Sequence, residues 1–393
     1  MDYKQVNVKE KTIIEKIIHI YRLFWTIVFI KIFKYDIVSK NFIHKLLDFT
    51  LFDKVDRFFF PKYVTYYCII NTNIVKHILS SHRNTYPLSG SKSLTALENL
   101  AKNTLGIHDC TSIFTCNEEK TIMYHKLIID RMANTIYLSN IIDDELKKFD
   151  ENNYERIESK VLINELVCNI FTRLFFGKTY ERFGETSVKF NKYIYDVATG
   201  FEKRPITDVY PDISKHYKST IEDICENSEM SSEYYNNLND NEKKIFVFIM
   251  LFAGQETTSA FIEYALFHAI KDQVDIHNKN IINYVKYCFT NFKPARGVAR
   301  CVTTHCNIDF LGSIILYPGD ILGLILTDTL KFGYGKHKCP GRHLAINEIT
   351  KIITHLFTKY DMEFENKNEE LLIKKSITNI IENSYVIKLN KKH

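Results

Sequence analysis

The chain has 393 residues, of which 45% are hydrophobic and 25% charged, and its formal net charge is +5. This composition is that of a folded protein with enough apolar side chains for a large core. Basic residues are scattered along the sequence, so we expect no nucleic-acid partner. The nine cysteines include no C-x-x-C pair, which argues against a zinc ribbon. A disulfide framework is not expected in so long a chain, and we predict an intracellular protein in a reducing compartment.

The first predicted element is an amphipathic helix at residues 13–33. Apolar residues recur there at helical spacing, opposite Glu15, His19 and Arg22. Charges interrupt the segment, and its longest uncharged run is far shorter than the roughly 20 residues that a membrane-spanning helix needs. The helix therefore either packs in the core or makes a peripheral contact with a membrane surface. The sequence leaves both alternatives open.

The rest of the chain predicts a mostly α-helical protein with small β-sheets near both ends. Residues 62–70 are rich in Val, Tyr, Cys and Ile and predict a strand. From about 118 to 287 the pattern is almost entirely helical. Short β-like runs return between 298 and 326, and a last helix is predicted at 344–358. No repeat or linker is visible, so we expect a single domain over 1–393.

A glycine-rich loop precedes the last helix. The stretch that begins at Phe332 reads F-G-Y-G-K-H-K-C-P-G-R-H-L-A. Gly335 and Gly341 permit tight turns and a close approach of the backbone to another group. Phe332 can cover the sulfur of Cys339 and keep water from it. The helix after Gly341 directs its positive end toward Cys339, which favours the thiolate.

This stretch resembles the heme-binding signature of the cytochrome P450 family, F-G-x-G-x-[RH]-x-C-x-G, followed four residues later by Ala345. The resemblance implies a cytochrome P450-like fold and a heme b cofactor, iron protoporphyrin IX. It implies that the thiolate of Cys339 is the axial ligand of the iron. Phe332, Gly335 and Gly341 then form the cofactor-binding loop, and His337 stands where a cationic side chain meets a heme propionate.

A second motif lies inside a long predicted helix, where residues 253–258 read A-G-Q-E-T-T. A glycine in mid-helix costs roughly 1 kcal/mol relative to alanine, so Gly254 indicates a close approach by another group. The order and spacing of these residues resemble those of the distal helix of the cytochrome P450 family, which crosses the heme where oxygen binds. The resemblance implies that Ala253 and Gly254 lie against the cofactor, that Thr257 steadies the oxygen species at the iron, and that Glu256 helps deliver protons. By itself, the motif is equally typical of a kinked helix with a buried threonine.

One further position matches the family, and three features depart from it, one of which is the absence of the Trp and Arg of the family's heme-edge helix. Arg300 falls where an arginine meets a heme propionate; the alternative is a solvated charge on a strand. The family's Glu-x-x-Arg pair is absent, because Cys288 and Asn291 occupy its positions. The chain also passes almost directly from Asp328 to Phe332, where family members place a few dozen residues, the proximal meander.

The resemblance implies a heme-thiolate monooxygenase that inserts one oxygen atom from O2 into an apolar small-molecule substrate. Electrons must come from a separate reductase, because no flavin or nicotinamide motif is visible in the sequence. The departures support an alternative, a degenerate relative that binds heme without turnover or lacks heme. The sequence does not specify the substrate.

Overall fold

The computed structural model describes most of the chain beyond residue 50. The described residues are 13, 20–21, 50–52, 55–60, 64–80, 88–90, 92–108, 110–113, 116, 118–198, 204–227, 233–274, 281–302, 306–308, 314–335, 338–375 and 379–392. The helix predicted at 13–33 lies outside them, apart from Ile13, Ile20 and Tyr21, whose side chains are exposed.

The described chain is mostly helical with small sheets, which confirms the predicted fold class. The helices are α1 Thr72–Ser80, α2 Lys92–Leu105, α3 Glu118–Met132, α4 Thr135–Glu151, α5 Ser159–Phe176, α6 Phe183–Ala198, α7 Ile206–Val209, α8 Pro211–Asn227, α9 Glu233–Asn236, α10 Asp240–Lys271, α11 Ile281–Asn291 and α12 Arg342–Lys359. The strands are β1 Thr50–Phe52, β2 Val55–Phe60, β3 Val64–Ile69, β4 Leu88–Gly90, β5 Arg156–Glu158, β6 Gly297–Val302, β7 Cys306–Ile308, β8 Ile314–Leu316, β9 Ile321–Ile325, β10 Tyr360–Phe364, β11 Ile373–Lys375, β12 Asn379–Ile381 and β13 Val386–Lys391.

The chain divides into two compact units, each built from separated stretches. The first, which we call the sheet unit, comprises residues 1–95, 295–339 and 375–378. Its main feature is a six-stranded sheet in the order β1-β2-β3-β9-β6-β4, in which β3 and β9 are parallel and the other pairs antiparallel. Apolar side chains from α1, β3 and β9 form its core, among them Ile69, Val75, Leu322 and Leu324.

The second unit, which we call the helical unit, comprises residues 96–294, 340–374 and 379–393. Its longest element is α10, with 32 residues, which contacts α5, α6, α8, α11 and α12. A capping box begins α10. The Asn239 side chain accepts from the Glu242 backbone N–H at 3.0 Å, and the Glu242 carboxylate accepts from the Asn239 N–H at 3.1 Å. The sequence predicts a single domain, and the division into two compact units does not test that prediction.

Helix α10 is also the one helix among the described residues that is long and apolar enough to cross a membrane. Its most apolar window, however, is 72% buried inside the protein. The helix carries apolar residues on all of its faces, as expected for an element enclosed by other helices. We therefore interpret α10 as the central helix of a packed core.

Aromatic side chains join α10 to α11 and the residue that follows it. The rings of Phe261 and Phe289 stack with centroids 3.9 Å apart, and those of Tyr264 and Phe292 stack at 4.6 Å. The hydroxyl of Tyr284 donates to the carbonyl of Ala265 at 2.6 Å. Stacked rings contribute both buried apolar area and a favourable pair geometry. The join between the two helices is therefore neutral and largely apolar.

The positions of the missing Glu-x-x-Arg pair lie on α11. Cys288 is fully buried, and burial raises the pKa of its thiol to about 11, so it stays neutral. Asn291 is exposed and donates to the carbonyl of Tyr287 at 3.0 Å. Neither position leaves a buried charge without a partner. Apolar packing in place of a buried ion pair is often as stable as the pair, which explains how α11 packs without it.

Replacing Phe289 with alanine tests the aromatic join. Phe289 is 6% exposed, and we expect Phe289→Ala to destabilise the protein by about 3–5 kcal/mol, because it removes a stacked ring and leaves a cavity. Urea unfolding measures the change. Tyr287→Ala is the control, since Tyr287 lies on the same helix and is 60% exposed. Equal losses for the two variants would show that the stacking is not what holds α11.

Candidate functional site

Cys339 is distinguished from the other cysteines by its exposure. Of the six free cysteines whose side chains the structure describes, four are buried, Cys225 is half-buried, and Cys339 alone is exposed. Burial raises the pKa of the thiols of Cys168 and Cys225, which keeps both in the neutral form. Cys339 is thus the cysteine, among those described, whose sulfur is accessible to a ligand or metal.

Backbone hydrogen bonds close the loop that carries Cys339. The N–H of Cys339 donates to the carbonyl of Phe332 at 2.7 Å, and the N–H of Gly333 donates to the carbonyl of Leu330 at 2.7 Å. Gly333 and Gly335 have φ values of +76° and +66°, in the left-handed region that favours glycine. The closure places the two ends of the motif side by side. His337 lies outside the described residues, so its predicted propionate contact stays a prediction.

Helix α1 supports this loop. A Cβ atom on Gly335 would lie 2.6 Å from the carbonyl oxygen of Leu79 in the last turn of α1, so the loop backbone rests directly on the helix end. The Nζ of Lys76 lies 5.8 Å from the ring centroid of Tyr334. At the start of α1, the hydroxyl of Thr72 donates to that of Thr327 at 3.2 Å. Sequence reasoning missed this support, because no local pattern links α1 to a loop so far along the chain.

The short connection into the loop is a single 3-10 turn, Asp328–Leu330, at the end of β9. Leu330 is fully buried in the apolar cluster of the sheet unit. The chain therefore enters the loop from an anchored residue. In this structure, α1 and Leu330 support the loop that follows the short connection.

Arg300 lies in the sheet unit, as does Cys339. It sits on β6, opposite Gly90 of β4 and Leu322 of β9. Its guanidinium donates from Nη1 to the carbonyl of Ala299 at 2.9 Å, and the side chain is half-buried. The planar guanidinium of an arginine suits a carboxylate. Its role toward a propionate stays a prediction.

Gly341 is the N-cap residue of α12, and its cap has no side-chain hydrogen bond. The first N–H groups of a helix have no partner within it, so an uncapped start favours a nearby anion. Two polar contacts hold α12 against α4. The Nζ of Lys351 lies 2.6 Å from the carboxylate of Asp143, and the Nε2 of His355 lies 2.8 Å from that of Asp150. The helix that follows Cys339 in the chain thus has a defined position within its unit.

Replacing Gly335 with alanine tests whether the loop depends on its contact with α1. We expect Gly335→Ala to destabilise the loop by more than the ~1–2 kcal/mol that a left-handed residue costs, because the new Cβ would collide with the Leu79 carbonyl. Gly106→Ala is a matched control, since Gly106 has a φ of +67° and open space around its Cβ position. Hydrogen exchange of the loop amides measures the difference. Equal effects of the two substitutions would mean that the stability of the loop does not depend on the contact with α1.

The second motif forms an accessible window in the middle of α10. Residues 245–251 and 258–267 are all buried, whereas Ala253 is exposed and Glu256 and Thr257 are half-buried. Ala253, Glu256 and Thr257 are three and four positions apart, so they share one face of the helix. The structure therefore places these three predicted site residues together on one face.

The hydroxyl of Thr257 donates back to the carbonyl of Ala253 at 3.3 Å. This is the bond into the helix that the sequence left open as an alternative, and its length makes it a weak one. Gly254 points toward α5, where an added Cβ would lie 2.1 Å from Cε2 of Phe171. The close approach expected at Gly254 is thus made by Phe171, and its assignment as a cofactor contact stays a prediction.

Glu256 has a perturbed proton affinity. Burial raises the pKa of its carboxyl to about 7, and the positive charge of Lys160 partly opposes this rise. A carboxyl that titrates near neutral pH can both hold and release a proton under ordinary conditions. Its role in proton delivery stays a prediction.

Comparison with known proteins found similarity in the segment that contains the cysteine loop. Residues 328–389 match the family model for cytochrome P450. This segment of the chain is thus similar to the cytochrome P450 family. It is 61% identical over 36 residues to a cytochrome P450 monooxygenase of Penicillium shearii, a stretch that covers 9% of this chain and 7% of the relative.

Two further relatives are a fusicocca-1,10(14)-diene-8beta,16-diol C-9 hydroxylase of Phomopsis amygdali and a cytochrome P450 monooxygenase of Leptosphaeria maculans. The first is 50% identical over 40 residues, which cover 10% of this chain and 8% of the relative. The second is 49% identical over 41 residues, which cover 10% of each chain. The matched stretches thus span about a tenth or less of each P450 relative. The α10 residues and Arg300 lie outside residues 328–389, so their roles stay predictions.

Proposed function

We propose that this protein is a heme-thiolate monooxygenase of the cytochrome P450 type that inserts one oxygen atom from O2 into an apolar small molecule. The observation that carries the proposal is the closed loop that presents Cys339, the exposed thiol within the segment that matches the family model. Electrons come from a separate reductase, as the resemblance to the family implies. The accessible window on α10, formed by Ala253, Glu256 and Thr257, supports the assignment of this face of the helix as the side where oxygen binds.

The residues present fit a heme. A porphyrin supplies most of the iron ligands, so the protein needs one axial donor, and Cys339 is an accessible thiol. Arg300 carries a half-buried guanidinium that suits a propionate, with His337 as the second candidate. Ala253 puts only a methyl group on the accessible face of α10. When bound, heme supplies the electron-rich iron centre that activates dioxygen.

The α10 residues handle protons and position the reacting groups. The hydroxyl of Thr257 makes only a weak bond to the Ala253 carbonyl, so it can turn to donate to a ligand instead. The carboxyl of Glu256 can hold and release a proton near neutral pH. Apolar side chains before and after this window exclude water from the rest of the helix.

A second candidate is a relative that binds heme without turnover. The absence of the Glu-x-x-Arg pair favours this candidate, because Cys288 and Asn291 at its positions are both neutral. The short connection before the loop, a single 3-10 turn, favours it as well. A cofactor loop that is held less tightly can keep its ligand yet lose activity, because surrounding contacts set the geometry of a thiolate site.

The absorption spectrum of heme-loaded protein, reduced and exposed to carbon monoxide, tests the axial ligand. We expect a strongly red-shifted Soret band that disappears in Cys339→Ala, because a thiolate donates electron density to the iron. Cys225→Ala is the control and should keep the band, since Cys225 lies in the helical unit on α8. A band that is unchanged in Cys339→Ala would contradict the proposal. A normal band without turnover of any substrate would favour the second candidate.

The role of Thr257 is tested with a matched pair of variants. Thr257→Val keeps the shape of the side chain without its hydroxyl, and we expect turnover to fall by about 10²-fold, the lower end of the usual contribution of a proton-transfer group. Thr257→Ser keeps the hydroxyl and should retain most of the activity. Turnover is measured with an apolar probe molecule that shifts the Soret band. Equal rates for the two variants would remove Thr257 from the mechanism.

A further inference from the structure

A cleft opens in the helical unit between α5 and the turn that leads into α6. Its volume is about 580 Å³, within the range of sites that hold small organic molecules. Val161, Glu165 and Asn169 of α5 line it, together with residues 179–182 and Glu185. Most of these residues are polar or charged, so the cleft suits a polar ligand.

The cleft lies on the side of α5 that faces α6. Asn164 and Cys168 of α5 make hydrogen bonds to α10. Glu165 and Asn169 each follow one position later, which is about 100° further around the helix. A Cβ atom on Gly184 would lie 2.5 Å from the Oε2 of Glu165, so this face of α5 rests against the start of α6. The cleft therefore lies on a different face of α5 from the one that contacts α10.

The packing of α5 against α6 leaves two buried oxygens without a donor. The Oδ1 of Asn169 is buried and has no hydrogen-bond partner among the described residues. Ser187, which is 1% exposed, shares the face of α6 with Gly184, and its Oγ is likewise without a partner in the described part of the chain. Folded proteins leave few buried polar atoms unpaired. The unmet acceptor of Asn169 in the wall of the cleft therefore indicates a bound group that donates a hydrogen bond.

The carboxyls that line the cleft outnumber its cations. Glu185 accepts from the Nη2 of Arg182 at 3.0 Å and from the Nζ of Lys189 at 2.8 Å, so the one guanidinium in the lining is already paired. Glu165 and Glu181 form no ion pair within the described part of the chain. Burial raises the pKa of the Glu165 carboxyl, and a cation next to it would favour its charged form. The cleft therefore favours a positively charged ligand.

The lining distinguishes an organic cation from a metal ion. Among the described residues, no group of three or more His, Cys, Asp or Glu side chains is arranged to hold a metal ion. The cleft also contains an apolar side chain, Val161, which is 38% exposed and can cover methylene groups. An alkyl ammonium combines three N–H donors, a positive charge and an apolar chain, which are the properties that this lining requires.

We propose that this cleft binds an aliphatic primary amine in its ammonium form. The ammonium donates to the Oδ1 of Asn169 and to the carboxylate of Glu165, and the carbon chain lies against Val161. Hydrogen bonds from a charged donor are stronger than those between neutral groups, so the buried acceptor contributes to affinity as well as to selectivity. The site uses neither Cys339 nor the window on α10, and it is therefore separate from the proposed function.

The experiment is a calorimetric titration of the purified full chain with 1,4-diaminobutane at low ionic strength. We expect one binding site, which Asn169→Leu weakens by about 10-fold because the buried acceptor is lost. Glu181→Gln removes a charge from an exposed position, so it should fold normally and weaken binding by roughly threefold. Glu151→Gln is the matched control, since it removes the same charge at the end of α4, where the side chain is 62% exposed.

The proposal requires that Asn169→Leu and Glu181→Gln both weaken binding and that Glu151→Gln leaves it unchanged. It is overturned if the wild-type chain does not bind the diamine, or if Glu151→Gln weakens binding as much as Glu181→Gln, which would indicate attraction to the overall charge. Mg²⁺ that displaces the diamine at equal concentration would also overturn it, because the site would then be a metal site. The readout involves no heme, so its outcome is independent of the carbon monoxide spectrum.

Discussion

The structure depends first on the closure of the loop that carries Cys339. The backbone must reverse between Phe332 and Cys339, and it does so through two glycines in the left-handed region and a hydrogen bond between the ends. Gly335 also lies against the end of α1, at a distance that excludes any side chain. The position of the thiol therefore depends on a contact between two segments that are far apart in sequence.

The central helix α10 combines a stable core element with a functional face. Its buried flanks account for its stability, because apolar area removed from water is the main favourable term in folding. The short window at Ala253, Glu256 and Thr257 interrupts that burial without breaking the helix. The packing of Phe171 against Gly254 keeps the adjacent face closed. The accessible residues in the middle of α10 thus lie on one side of the helix.

The join between α10 and α11 shows how a protein can do without a charged pair. Where the resemblance predicts an ionic contact, the structure has stacked aromatic rings and a neutral, buried Cys288. Two charges removed together leave no unpaired charge in the interior. By contrast, Glu263 remains a buried carboxyl, and its Oε2 has no hydrogen-bond partner among the described residues.

The sequence alone determined the cysteine motif and the helical character of the chain. A glycine spacing specifies a local backbone path, and helical periodicity depends on residues only three or four positions apart. The last helix was therefore predicted within two residues of its observed bounds, Arg342–Lys359. Only the tertiary structure decided that α1 supports the loop and that Phe171 approaches Gly254. Each of these contacts joins segments that are distant in sequence, and no local pattern records which distant side chain will fill a given space.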